Sequence, residues 1–101
     1  MATPTATDKR IEIGLDSIER ALDDLPEVAH DWLAMDDGER ASWSLDWDHL
    51  MGTYFRLLIQ REHAGTLTPR QHQRYCALLD RLKESAPLIE DLQLYPPPST
   101  D

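Results

Sequence analysis

At 101 residues the chain has the length of one domain, and 41% hydrophobic with 29% charged residues places it among globular proteins, not disordered or fibrous ones. Nineteen acids against ten bases give a formal charge of −9, which disfavours direct nucleic-acid binding. The longest apolar run, Leu57-Leu58-Ile59, falls far short of the roughly twenty residues of a membrane span, and the single Cys76 excludes an internal disulfide or a cysteine-cluster zinc site.

Residues 1–7 are rich in Thr, Ala and Pro and read as a disordered N-terminal tail without an apolar signal region, so a cytoplasmic protein is expected. A single helical domain is expected over 8–94. Ile11, Leu15, Ile18, Leu22 and Leu25 recur at intervals of four and three, the narrow seam of an amphipathic helix that Thr7 or Asp8 can cap. Pro26 is expected to end this helix and to open a second one carrying Val28, Trp32 and Met35, since proline lacks an amide donor and suits a first helical position. Asp36-Asp37-Gly38 breaks the pattern, and Asp36 with Glu39 has capping-box spacing for a restart.

The longest element follows. Trp43, Trp47, Leu50, Met51, Tyr54, Phe55, Leu57, Leu58 and Ile59 cover about half a helical wheel, so this helix is expected to be central, with Trp47, Tyr54 and Leu58 buried. Gly65 can end it in the left-handed conformation. Thr68 and Gln71 then form a capping box around Pro69 and open a helix with Tyr75, Leu78, Leu79 and Leu82 on one face. Ser85-Ala86-Pro87 allows a break before a short helix with Leu88, Ile89 and Leu92, and Tyr95-Pro96-Pro97-Pro98 begins a proline-rich stub over 95–101. No segment alternates as a strand. The expected fold is an all-α compact bundle of four main helices, with a fifth short C-terminal one as a variant, around a long central helix.

Candidate chemistry is sparse. Glu27-x-x-His30 and Asp46-x-x-His49 have the spacing used by carboxylate-histidine metal sites in helical bundles, yet both lie opposite the apolar face of their helix, so no metal or other cofactor is expected. Cys76 adjoins Tyr75 and Leu78 and reads as a small core hydrophobe. Ser42, Ser44 and Ser85 lack a nucleophile turn, and the four glycines form no phosphate loop. Arg56 and His63, seven residues apart, resemble the Arg-x(4–6)-His signature of the HEPN family of small all-helical ribonucleases. That resemblance covers this one spacing and implies RNA cleavage by Arg56 and His63; otherwise they line a solvated helix side with His49.

Charge is divided unevenly. Residues 1–50 hold thirteen acids and four bases, whereas 51–101 hold six of each. Glu12, Asp16, Glu19 and Asp23 make one acidic stripe, extended by Asp24, Glu27, Asp31, Asp36 and Asp37, and like charges at helical spacings repel by a few tenths of a kcal/mol, roughly, per pair. Arg70, Arg74 and Arg81 make a basic ridge on the Tyr75 helix. Two arrangements relieve the repulsion: the ridges meet within the molecule, or the acidic one faces a partner. The reading that follows is a non-enzymatic interaction module binding a basic protein surface, such as a regulator, inhibitor, antitoxin or immunity-type protein, or accessory subunit. The helical ribonuclease is its alternative, as is a self-associating protein, a homodimer packed through the first-helix seam.

Overall fold

A computed structural model of the protein describes the backbone of residues 6–100 and side chains from Lys9 to Thr100. Residues 1–5 of the expected tail lie outside that range. Three helical rods form an elongated molecule of 49 × 24 × 18 Å, and no strand occurs among the described residues. The all-α class is as expected, whereas the count of four main helices is corrected to three.

Helix α1 spans Ala6–Asp31. Thr7 and Asp8 therefore lie within the helix and not at its cap. Pro26 does not end it: the helix runs on, and a short 3-10 turn over Trp32–Ala34 follows. The reason is burial. Leu22 and Leu25 flank the proline at 2% and 0% exposure, on the seam shared with Ile11, Leu15 and Ile18. Burying such side chains contributes about 1.5–3 kcal/mol each, enough to hold the backbone helical against a local penalty of about 3 kcal/mol for interior proline.

Helix α2 runs over 37–63 as three consecutive stretches: α-helical Asp37–His49, π-helical Leu50–Phe55 and α-helical Arg56–His63. Asp36 caps it, accepting the Glu39 amide at 2.8 Å. The π segment decides which aromatic ring is buried. Trp47, Met51 and Phe55 recur at intervals of four, which drift about 40° per interval on an α-helix. The wider π turn cancels that drift and aligns all three on the core, at 1%, 0% and 0% exposure. Tyr54 is thereby turned aside and is only half-buried, packing over Gly14. Tyr54 is partly buried against the edge of the core, and Trp47 and Leu58 are fully buried as expected.

Gly65 terminates α2 at φ 69°. The bonds Thr66 N–H to Arg61 O and Gly65 N–H to Glu62 O, both 3.0 Å, are a Schellman ending. Thr68 and Gln71 form the full capping box, and helix α3 spans Pro69–Asp91 with Pro69 in its first turn. Pro87 does not break α3, so the expected fifth helix is its last turn; Leu82 and Ile89 are buried on either side of the proline. A second Schellman ending follows, with Gln93 at φ 56° and Leu94 N–H bonded to Ile89 O at 3.0 Å.

Helix α1 packs closely against both α2 and α3. The C-terminal segment runs back along α2 and α3, with a cavity of about 410 Å³ left between Phe55, Leu82 and Pro98. Leu94 is buried, the Trp47 indole Nε1–H donates to Tyr95 O at 2.8 Å, and His63 Nε2 meets Thr100 O at 2.8 Å. The proline-rich stub is thus a strap along the bundle, held at Trp47 and at His63.

Candidate functional site

The acidic stripe of α1 and the basic ridge of α3 face each other, because the two helices run parallel and α1 turns its seam toward α3. Arg74 is the hub. Its guanidinium reaches Glu12 at 2.8 Å, Asp16 at 2.6 Å and Glu19 at 2.8 Å, three carboxylates on successive turns. Burial works against the charge on Arg74, but hydrogen bonds to Asp16 and Glu19 outweigh it and raise its pKa above the usual arginine value. A planar fork of five donors suits this multiple engagement.

Gln71 adds a contact that sequence reasoning missed. It is buried, and its Nε2 donates to Glu12 Oε1 at 3.1 Å while its amide and side chain complete the capping box of α3. Further along, Arg81 pairs with Asp23 at 2.8 Å. The third member of the ridge, Arg70, is exposed in the first turn of α3 and forms no ion pair among the described residues. Four of the seven acids singled out on α1, namely Glu12, Asp16, Glu19 and Asp23, are therefore engaged within the molecule. Asp24, Glu27 and Asp31 are exposed and carry no ion pair among the described residues.

Those three acids lead to the end of the molecule where α1 passes into α2. Leu33 stands there at 92% exposure. Asp36 caps α2 and is held below the usual carboxylate range, chiefly by the Glu39 amide. Asp37 makes only a 3.5 Å pair with Arg40, itself hydrogen-bonded to Met35 O, and Glu39 is exposed. Residues 24–48 contain eight acids and one arginine. The surface is strongly anionic with an apolar point in it.

The other candidates are separated. Arg56 and His63 open and close the last α-helical stretch of α2, about 10 Å apart along its axis. Arg56 is exposed, and His63 is bound to the C-terminal strap through Thr100. His49 packs edge-on against Tyr54, with ring centroids 5.5 Å apart. Neither Glu27 with His30 nor Asp46 with His49 belongs to a cluster able to hold a metal ion, and no such cluster occurs among the described residues.

Cys76 departs from expectation. It is exposed, not a core hydrophobe, because it points away from the face that buries Tyr75 and Leu78. Its Sγ lies 3.6 Å from His72 Nε2, and His72 Nδ1 meets Glu62 Oε2 at 2.8 Å. The His72–Cys76 interval of four was visible in the sequence. Glu62 joins them only through the turn at Gly65. A histidine oriented by a carboxylate beside a thiol can accept its proton.

Compared with protein-family models, with curated proteins and with solved structures, the chain matches none of them. Among the described residues no helix is long and apolar enough to cross a membrane.

Proposed function

We propose that the protein is a non-enzymatic acidic interaction module, and that its docking surface is the end built from the last turns of α1, the Trp32–Ala34 turn and the start of α2. One observation carries this reading: the carboxylates of Asp24, Glu27 and Asp31 form no ion pair among the described residues and lead to an almost fully exposed Leu33, while the neighbouring stripe of four acids is engaged by Arg74 and Arg81. A protein with a basic patch and a small apolar recess complements that surface. Opposite charges would steer the encounter, and Leu33 would supply the desolvated anchor.

The test is affinity purification from the native cell followed by binding kinetics with the partner recovered. Glu27→Lys with Asp31→Lys should slow association, and added salt should slow the unaltered protein, since exposed charges are screened over about 10 Å at 0.1 M. Leu33→Ser should speed dissociation. Glu12→Gln, on the paired stripe, should leave both rates unchanged. Equal sensitivity at Glu12 and at Glu27 with Asp31 would reject this placement of the surface.

A further inference from the structure

Between α1 and α2 lies a cleft of about 200 Å³ that borders the docking surface and shares Asp24 with it. Trp47 forms its floor, with its indole N–H already given to Tyr95 O. Trp43, one turn earlier, stacks on Trp47 with ring centroids 5.7 Å apart and planes within 15° of parallel. The two rings make one aromatic wall, and Trp43 Nε1 has no hydrogen bond among the described residues. Arg20 and Asp24 on α1, and Asp46 on α2, line the same recess.

These three charges do not neutralise one another. Arg20 and Asp24 have the (i, i+4) spacing at which opposite charges readily pair, yet no ion pair forms between them or from either to Asp46. A simple cation entering the cleft would meet the Arg20 guanidinium, and a simple anion would meet two carboxylates. Only a ligand with both signs offsets all three groups. The part-exposed Trp43 indole, backed by the buried Trp47 ring, favours a cationic head that is weakly hydrated, because the face of an indole attracts such a head through its quadrupole. The guanidinium fork favours a carboxylate tail. The volume is below the roughly 300 Å³ at which pockets for drug-sized ligands begin, so the occupant is a small solute.

We propose that this cleft binds a small zwitterion, with an alkylated ammonium against Trp43 and near Asp24 and Asp46, and a carboxylate on Arg20. The site shares Asp24 with the docking surface, but variants at Arg20 and Asp46 read ligand binding alone, so the two readings fail separately.

Glycine betaine is the probe, with choline as the cation lacking the carboxylate and trimethylacetate as the anion lacking the charged head. Titration is followed by the Trp43 indole N–H resonance, assigned from the Trp43→Phe variant. Betaine should shift that resonance saturably at roughly millimolar concentration and bind at least about fivefold more tightly than either control. Arg20→Gln should abolish the advantage over choline, weakening betaine and tightening choline because the opposing cation is gone, and Asp46→Asn should weaken both. Thermal melts of these exposed-site variants check that the fold is retained. Absence of saturation up to about 50 mM, well past that range, overturns the proposal, as does equal binding of betaine and choline or indifference to Arg20→Gln in a folded variant.

Discussion

Arg74→Gln is the sharpest probe of the contact that joins α1 to α3. Glutamine keeps much of the aliphatic stem and a donor, and removes the charge. The arginine side chain is 23% exposed, whereas its partners Glu12, Asp16 and Glu19 are exposed to 49%, 66% and 36%. With that much solvent, each pair contributes only about 0.5 kcal/mol. Removing the cation also uncovers two like-charge contacts on α1, Glu12 with Asp16 and Asp16 with Glu19, at about 0.3 kcal/mol each. The loss is about 2 kcal/mol, and for a domain of this size that lowers Tm by about 10 °C. Thermal unfolding followed by far-ultraviolet circular dichroism measures it. The deficit should narrow in about 1 M salt, where the screening length is about 3 Å. It should fall by more than half when Arg74→Gln is made on an Asp16→Asn, Glu19→Gln background. A loss below about 0.5 kcal/mol, the scatter of ordinary surface substitutions, or the same loss on both backgrounds, would refute the reasoning.

Three further outcomes follow from particular features of the fold. Phe55→Ala should cost about 3–5 kcal/mol in urea unfolding, and Tyr54→Ala less than half as much, because the π segment directs Phe55 and not Tyr54 into the core. Gln93 ends α3 with a positive φ, so Gln93→Gly should raise stability by about 0.5–1 kcal/mol, the relief of left-handed strain exceeding glycine's greater unfolded entropy; a lower Tm would contradict this. Burial, then the charges of Glu62 and Cys76, push the Tyr75 hydroxyl above its ordinary value of 10.0. The unfolded chain therefore releases that proton first, so stability is retained below about pH 10 and declines as pH rises through the folded value. Tyr75→Phe should remove that part of the alkaline decline in melts across the range.

What the sequence made legible was local. The Thr68–Gln71 capping box, the Gly65 ending, the Asp36 cap and the Ile11–Leu25 seam each depend on residues within one or two turns, and each stands in the structure. What it hid depended on partners distant in the chain. Pro26 and Pro87 look like helix ends by local propensity, but their neighbours Leu22, Leu25, Leu82 and Ile89 are locked in the core and carry the helix through. The π segment has no signature in composition; it is visible only as the interval of four shared by Trp47, Met51 and Phe55. The strap was hidden for the same reason, since nothing local in Tyr95-Pro96-Pro97-Pro98 announces that Trp47 and His63 hold its backbone. The candidate site was legible to the same depth. Spacing revealed both charged ridges and the two ways they could be satisfied. It could not separate Arg74, which faces three carboxylates, from Arg70, which faces none.

The internal pairing of the ridges sharpens the functional argument instead of dissolving it. Had every acid of α1 found a base, the charge of −9 would be spread over a surface with no distinguished region. Arg74 and Arg81 instead engage all four carboxylates on the part of α1 that packs beside α3 and offset half their charge, and their reach ends at Asp23. Beyond it, eight acids and one arginine crowd residues 24–48. Asp36 is explained by its cap. For Glu27 and Asp31 no folding role is visible, and their mutual spacing of four adds repulsion that costs about 0.2–0.5 kcal/mol. Leu33, at 92% exposure, gains nothing from the core either. Repulsive charge and exposed hydrocarbon at the same end of a small domain both oppose the isolated chain, and the proposed basic partner with an apolar recess would relieve both at once.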